Sequence, residues 1–461
     1  MRPPATCALA LALTALGCVH YQPRPISPDE SLAAFSARTL ADPGLRAFLA
    51  ANRAEVPDAS RPWGLATLTL AAFYFNPDLD VARAELAAAR AGAVTAGARE
   101  NPAVALSAGY DTTTPVSLVS PWVLGFNLDV PLTTAGKRAH RVAQARNLVE
   151  VARFNLAAAA WQVRSRVRAS LVELRAATES DTLLRDQEAI ERTNAEVLER
   201  QLEAGAVSPA EVTQAHLALA SARVVLADAG ARLAAARAQL AESVGVPVAA
   251  VDGAPLSTEG LDEPSAEIPT AEARRHAVLN RADVLGALAE YAASQAALQL
   301  EIARQYPDIH LGPGYEFDQG NDKWFLALSL PLPVVNRNRG PIAEAEAARA
   351  AAAARFTAVQ AHAVALVDQA AAAYGAARAA AEQAGRAQAD LGEQERAAQA
   401  RFDAGEISRL ELGGARLERV AAALVLLDAR TKAATALGQL EDAMQTPSEP
   451  LDRLTEPPRR V

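Results

Sequence analysis

The chain has 461 residues, a net charge of −9 at neutral pH, and 51% hydrophobic residues, many of which are alanine. The chain is acidic and has no block of basic residues that could bind phosphate groups, so a nucleic-acid-binding function is excluded. No apolar run of about 18 residues follows the N-terminal stretch, so we expect no membrane-spanning helix in the mature chain.

The first 17 residues are typical of an export signal. Arg2 precedes an apolar stretch at 5–16, and the small residue Gly17 stands directly before Cys18. This arrangement resembles a bacterial lipoprotein signal, so we expect residues 1–17 to be removed and Cys18 to be lipidated. Ordinary signal cleavage near this position is the alternative. The residue after the cysteine is not aspartate, which fits onward transport to the outer membrane.

A proline-dotted segment at 18–62 follows the signal, with one helical pattern near Ser31 to Ala51. We expect it to be a lipid-anchored tether that wraps a larger body. The mature chain would then carry no disulfide, because Cys7 is lost with the signal.

The remainder of the chain is an internal duplication. The sequence LEAGAVSPAEV, from Leu202 to Val212, returns 200 residues later as FDAGEISRLEL, from Phe402 to Leu412. The predicted units are a first repeat at 63–246, a linker at 247–269, a second repeat at 270–445 and a C-terminal tail at 446–461. Such duplicated units bury their apolar faces by packing against one another.

Each repeat contains a helix, two strands, a long helix and a shorter helix. We predict helices at 63–99, 136–203 and 208–244 in the first repeat, and at 270–304, 341–403 and 408–445 in the second. A helix of roughly 68 residues is about 100 Å long, far more than a globular domain needs. The two shorter helices of a repeat together approach this length, so we expect them to lie end to end along the long helix.

The predicted strands alternate between apolar residues and small or polar ones. The apolar members are Val104, Leu106, Ala108, Tyr110, Trp122, Leu124, Phe126, Leu128, Val130, Ile309, Leu311, Tyr315, Phe317, Trp324, Leu326, Leu328 and Leu330. Both a soluble β-sandwich and a membrane barrel alternate in this way. Four such strands with aromatic ends, in an exported chain, favour the barrel.

Four strands are too few to close a membrane barrel, and an open edge in lipid leaves backbone groups unsatisfied. Three chains supply twelve strands. The predicted fold is therefore a mainly α, mixed α/β membrane protein. Its long antiparallel helical hairpins form an α-barrel, and its four strands per chain join a shared 12-stranded trimeric β-barrel.

These features resemble the TolC-like outer-membrane factors of tripartite efflux and secretion systems. The match covers nearly everything after residue 60, and its most specific parts are the duplicated unit and the paired turns at 203–208 and 403–408. The stretch at 303–349 is similar to the cobalt-zinc-cadmium efflux subgroup. The resemblance implies a passive outer-membrane duct for metal cations or drugs, with its helices in the periplasm.

The paired turns are the predicted periplasmic tips. Gly205 and Gly405 permit a positive φ that reverses the chain, and Ser208 and Ser408 cap the returning helices. A plain helical hairpin accounts for both. The resemblance adds docking of a periplasmic adaptor protein at six tip residues: Gly205, Val207, Ser208, Gly405, Ile407 and Ser408.

The same tips carry the candidate gate residues Glu211, Glu411 and Phe402. By resemblance, acids at this spacing form a ring around the lumen, where they attract cations and raise one another's pKa. A solvated helix face is the alternative. Phe402 stands where the family can place a hydrogen-bonding tyrosine, so closure there would be partly apolar.

We predict no enzymatic activity and no cofactor. The six histidines are scattered, with no spacing typical of a metal site, and there is no nucleophile or phosphate-loop motif. The implied partners are a homotrimer, the adaptor, outer-membrane lipid and an inner-membrane pump of the proton-driven RND type. A duct for type I protein secretion and a periplasmic coiled-coil adaptor are the alternatives.

Overall fold

The computed structural model describes residues 19–52, 54, 57, 61–112, 120–261 and 270–445. The predicted signal at 1–17, the lipidation site Cys18 and the tail at 446–461 lie outside these ranges. Within the described part, most residues are helical, and four antiparallel strands form one sheet. The predicted secondary-structure class and strand number are confirmed.

The elements repeat in the same order along the chain. The N-terminal segment and first copy comprise α1 (Pro28–Ser36), α2 (Pro43–Ala51), α3 (Leu65–Phe75), α4 (Pro77–Gly97), β1 (Ala103–Tyr110), β2 (Trp122–Leu132), α5 (Lys137–Glu203) and α6 (Pro209–Val244). The linker contains α7 (Val248–Asp252), and the second copy comprises α8 (Thr270–Asn280), α9 (Ala282–Ala303), β3 (Ile309–Asp318), β4 (Asn321–Ser329), α10 (Arg339–Asp403) and α11 (Arg409–Met444).

Three segments predicted as single helices are each two helices: α1 with α2, α3 with α4, and α8 with α9. The α3–α4 break lies at Asn76, whose side-chain oxygen accepts a hydrogen bond from the Asp78 N–H at 3.0 Å. Pro77 follows and has no N–H to continue the helical hydrogen-bond pattern. Asp42 caps α2 before Pro43 in the same way, whereas α9 begins after Arg281, whose backbone is extended.

The short helices of each copy lie end to end along the long helix. In the first copy, α5 contacts both α4 and α6, and in the second copy α10 contacts both α9 and α11. Polar side chains close the two junctions. Asn76 Nδ2 donates to the Ser243 carbonyl at 3.1 Å, and Arg281 Nη1 donates to the carbonyls of Asp442 and Ala443 at 3.1 and 2.7 Å. The last carbonyls of α6 and α11, which have no partner within their own helices, are thereby satisfied.

Each long helix and its returning helix form a hairpin, α5 with α6 and α10 with α11. The two hairpins meet where α5 packs against α11. Two glycines of α11 let side chains of α5 approach closely, because a methyl group at Gly413 would collide with Asn194 and one at Gly438 with Arg168. Arg168 donates to the Ala434 carbonyl at 2.6 Å and is nearly fully buried. Since each notch accepts one particular side chain, the two helices can pack in only one register.

Charged groups are buried beside the notch at Gly438. Arg164 lies 3.0 Å from Glu441, and both side chains are about nine-tenths buried. The neighbouring Asp442 accepts hydrogen bonds from Trp161 at 2.9 Å and from the Ser165 hydroxyl. Burial raises the pKa of Asp442. This polar cluster joins the first copy to the end of the second.

The N-terminal segment and the linker pack into one hydrophobic core. Leu45 and Leu49 of α2 are fully buried, and Val251 and Leu261 of the linker belong to the same cluster. The Trp63 N–H donates to the Pro255 carbonyl at 2.7 Å, so the linker forms a short bridge with the start of the first copy. In the described parts, both segments are therefore docked onto the helices.

One helix differs from the expectation that no helix could span a membrane. α10 contains an 18-residue window with a mean hydropathy of 1.3, and 17% of that window is buried in the chain. Its many alanines raise the hydropathy without large apolar side chains. Length and composition alone make this weak evidence for a membrane span.

The α9–α11 junction predicts a stability effect. Replacing Arg281 with alanine removes charge-assisted hydrogen bonds to one buried and one partly buried carbonyl, so we expect the free energy of unfolding to fall by about 2–3 kcal/mol. Chemical denaturation followed by circular dichroism measures it. The control is Arg274→Ala, which breaks an exposed ion pair with Asp368 at 2.6 Å and should leave stability nearly unchanged. Equal effects of the two variants would contradict the capping role of Arg281.

Candidate functional site: the sheet and the hairpin tips

The sheet has one continuous apolar face that is exposed. Its strand order is β1-β2-β3-β4, and every neighbouring pair is antiparallel. The register places Leu106 opposite Phe126, Phe126 opposite Tyr315, and Tyr315 opposite Trp324, so the apolar residues of all four strands share one side. Leu106 is 79% exposed and Trp324 is 81% exposed. The predicted alternation of the strands is confirmed, and this face has no partner within the described chain.

Two aromatic pairs lie on the apolar face towards the strand-connecting turns. Tyr110 and Trp122 pack edge to face with ring centres 5.1 Å apart, and Tyr315 and Trp324 have ring centres 5.0 Å apart. Aromatic side chains of this kind are enriched where a membrane barrel meets the headgroup layer. They therefore mark the end of the sheet that is remote from the helices.

The opposite face of the sheet carries small and charged side chains. His310 Nδ1 lies 3.0 Å from Asp129, and Lys323 Nζ lies 2.6 Å from Asp318. Gly314 lies beneath the ring of Phe325, and a Cβ at this position would collide with that ring. A face of small and paired polar groups suits a water-filled lumen.

The two tips have nearly identical backbones. Gly205 has a φ of +72° and Gly405 a φ of +74°. Each glycine N–H donates to the carbonyl three residues earlier, Leu202 or Phe402, at 2.9 Å. Glycine takes this left-handed conformation without the steric cost that a side chain would add. The duplicated sequence therefore produces two equivalent reversals, each directly between a long helix and its returning helix.

The candidate gate acids are both engaged in helix caps. The Ser208 N–H donates to Glu211 Oε2 at 2.7 Å, and the Ser408 N–H donates to Glu411 Oε2 at 2.7 Å. Each glutamate N–H is in turn capped by its serine hydroxyl. Both tips carry the local Ser-x-x-Glu pattern of a capping box, so this role of the glutamates is readable from the sequence.

These hydrogen bonds affect the ionisation of Glu411. The Ser408 backbone N–H contributes most, followed by the Ser408 hydroxyl and the charge of Arg401, and together they lower the pKa of Glu411 below its usual 4.5. Both glutamates are exposed at the tips.

Phe402 lines a crevice between the two hairpins. Its half-buried ring lies 5.9 Å from the guanidinium carbon of Arg409. The crevice has a volume of about 460 Å³, and its other lining residues include Asn194, Leu412 and Gly413. Phe402 thus lies beside the notch at Gly413, in the seam between α5 and α11.

Sequence reasoning missed a pair of contacts that recur 200 residues apart. In the first hairpin, His216 Nε2 lies 2.7 Å from Glu199. In the second hairpin, Arg416 donates to Gln399 at 2.8 Å. The positions correspond exactly to the repeat offset, so an alignment of the two copies would have found them. One pair contains a titratable imidazole and the other a permanent cation.

The model of the family described as outer membrane efflux protein matches residues 72–246 and 273–445. The chain belongs to the outer membrane efflux protein family. Its members are channels and not enzymes. In the described residues, no group of histidine, cysteine, aspartate and glutamate side chains is arranged to hold a metal ion.

One curated relative is the cobalt-zinc-cadmium resistance protein CzcC of Cupriavidus metallidurans, which is 28% identical over 217 residues. That match spans 46% of this chain and about half, 50%, of the length of the relative.

Solved structures share the fold. The outer membrane protein VceC of Vibrio cholerae has a TM-score of 0.68 and 21% identity, with 84% of this chain and 97% of that chain covered. The CmeC outer membrane channel of Campylobacter jejuni has a TM-score of 0.67 and 16% identity, with 93% of both chains covered. The efflux protein therefore has the architecture of known outer-membrane channels.

The cap of Glu411 predicts a pH response at the second tip. Because its pKa is lower in the folded than in the unfolded chain, its stabilisation is present above the unfolded value and is lost as the pH falls through the folded value. We expect amide exchange at 404–411, corrected for its intrinsic pH dependence, to rise as the pH falls below the ordinary range of a glutamate and through the lowered pKa of Glu411.

The control for this experiment is Glu411→Gln, because glutamine keeps the capping geometry without a titratable group. This variant should show no such rise. If exchange at the second tip of Glu411→Gln follows pH as in the unmodified chain, another group controls the tip.

Proposed function

We propose that three copies of this chain form a continuous duct across the outer membrane and the periplasm. The observation that carries this proposal is the open four-stranded sheet with its exposed apolar face. Its edge strands β1 and β4 leave backbone groups unpaired, which lipid does not tolerate. Three copies joined β4 to β1 make twelve strands and remove every edge.

The helices offer matching surfaces for a homotrimer. Apolar side chains of α6 point away from the rest of the chain, with Leu217 71% exposed and Val224 63% exposed. α10 is largely exposed and rich in alanine, which permits close helix contact. We infer that α6 of one copy packs against α10 of the next and closes the α-barrel. One threefold axis would then close both the β-barrel and the α-barrel.

The proposed location follows from the N-terminal signal and the sheet. Residues 1–17 direct export and are removed, and Cys18 carries the lipid that anchors the chain to the outer membrane. The sheet then spans the bilayer, and the long helices extend into the periplasm. The N-terminal segment is already docked onto the helices by its buried leucines, so the anchor is tied to the body of the protein.

We propose that the two hairpin tips dock a periplasmic adaptor protein. The tip residues Gly205, Val207, Ser208, Gly405, Ile407 and Ser408 are exposed or half-buried, and they lie at the ends of the longest helices, remote from the sheet. The adaptor connects the duct to an inner-membrane pump of the proton-driven RND type, and the pump supplies the energy. Metal cations or drugs are the proposed substrates, supported by the resemblance to the resistance protein CzcC.

The proposed gate lies at the same tips. Glu211 and Glu411, one from each hairpin, supply six carboxylates to a trimer, and Phe402 contributes an apolar surface at the hairpin seam. A ring of carboxylates favours cations over anions. The capping hydrogen bonds position these carboxylates at the first turn of each returning helix.

The duct itself is tested by reconstitution. Purified chain in detergent should have the mass of three copies by native mass spectrometry. In planar bilayers, tip-destabilised variants such as Gly405→Val should give discrete conductance steps. A stable monomer, or bilayers without steps for every tip variant tested, would contradict the proposal.

The apolar face predicts a side-specific effect of charge. Arginine in place of Leu326, near the middle of β4 and 71% exposed, should cost about 2–4 kcal/mol in the bilayer and abolish membrane insertion. The matched control is Ser329→Arg, on the opposite face of the same strand. This variant should insert normally. Flotation of membranes measures both, and equal behaviour of the two variants would argue against a lipid-facing sheet.

The gate proposal predicts a change in ion selectivity. Glu211→Gln and Glu411→Gln each remove the charge while preserving the capping geometry, so the tip remains folded. We expect the ratio of cation to anion permeability to fall in each variant and furthest in the double variant. Reversal potentials in a salt gradient give this ratio. An unchanged ratio in the double variant would show that these carboxylates do not line the narrowest part of the lumen.

A further inference from the structure

The segment between β4 and α10 exposes apolar and basic side chains side by side. Val334 and Val335 are 74% and 96% exposed, and Leu332 is 70% exposed. Arg337 and Arg339 follow and are also exposed. Neither arginine forms a hydrogen bond or an ion pair with another described residue. Two uncompensated guanidinium groups therefore lie directly beside an exposed apolar run.

This segment lies at the helical end of the sheet. β1 and β3 begin at this end, and β2 and β4 finish here, so all four connections between helices and strands share it. The equivalent connection of the first copy has a different character. Lys137 is buried and lies 2.9 Å from Asp308, so its charge is neutralised within the chain. The exposed pair of cations belongs to the second copy alone among these two connections.

The segment is held in place by its last residue. Asn338 has a φ of +58°, and its Nδ2 donates to the backbone carbonyl of Glu301 at 2.8 Å and to Glu301 Oε2 at 3.0 Å. Glu301 also forms an ion pair with Arg304. Glu301 is therefore already engaged by two other groups, and no described acid pairs with Arg337 or Arg339, which leaves both guanidinium groups available to an external anion.

The chemistry of the segment matches the boundary between acyl chains and phosphate groups. It continues from the apolar face of the sheet, where Leu328 is 63% exposed and Leu330 is 41% exposed. A guanidinium binds phosphate oxygens in pairs and is more weakly hydrated than an ammonium group. Apolar side chains enter the hydrocarbon while the adjacent arginines remain at headgroup level.

We propose that residues 330–339 form a binding surface for the phosphate of an anionic phospholipid, in the leaflet nearest the helices. This proposal rests on the membrane insertion of the sheet proposed above. It gives the second copy a role that the first copy lacks, because Arg337 and Arg339 select the lipid headgroup while Val334 and Val335 contact the acyl chains.

The test compares lipids bound to the full-length protein in detergent. Native mass spectrometry with added phosphatidylglycerol or phosphatidylcholine should show a preference for the anionic lipid. In Arg337→Ser/Arg339→Ser this preference should fall by about 30-fold, which corresponds to about 1 kcal/mol for each arginine. The matched control is Arg386→Ser, an exposed arginine of α10 about 70 Å away along the helix, which should retain the preference.

Three results would overturn the proposal. These are equal binding of the two lipids by the unmodified protein, an undiminished preference in the double variant, or full competition by inorganic phosphate, which would indicate a site for a free anion. Thermal unfolding in detergent alone checks that the double variant is folded.

Insertion into vesicles without anionic lipid distinguishes failure of the duct proposal from failure of the lipid-binding proposal. The unmodified protein must insert into phosphatidylcholine vesicles, where no anionic lipid is present. Absence of insertion in this arm would overturn the membrane role of the sheet, whereas insertion without lipid preference would overturn the headgroup site alone.

Discussion

An antiparallel sheet with one apolar face and two free edges is the constraint on which the rest of this protein depends. Each edge presents a row of N–H and C=O groups, and the hydrocarbon layer offers them no partner. The apolar face cannot be covered from within the chain, because the helices leave the sheet at one end and do not fold back over it. Repetition of the chain around an axis resolves both problems at once.

The helices are organised to support such a repeated wall. Each long helix has two shorter partners placed end to end, and the junctions are closed by Asn76 and Arg281, which satisfy the last carbonyls of the helix that ends there. The two glycine notches of α11 then set the register between the hairpins. A wall one helix pair thick has little core, so these local polar contacts contribute a large share of its specificity.

At the hairpin tips the two copies are alike in backbone, but their side chains differ in chemistry. The tips reproduce each other in φ and in hydrogen-bond lengths, because a glycine reversal followed by a serine cap permits few alternatives. Side chains at equivalent positions have diverged: His216 with Glu199 corresponds to Arg416 with Gln399, and the neutralised Lys137 at the start of α5 corresponds to the exposed arginines at the start of α10. The two copies thus share a scaffold and differ in what they present to water and lipid.

The sequence by itself determined the duplication, the four alternating strands, the long helices and the family. These features depend on hydrophobic periodicity and on glycine and proline residues, which act locally. It did not determine the helix break at Arg281, which is stabilised by carbonyls of a distant helix, whereas the break at Asn76 is marked locally by Pro77. Nor did it reveal that Phe402 lies at the hairpin seam. Those features were decided by tertiary structure, because each depends on which groups from separate parts of the chain come within hydrogen-bond or packing distance.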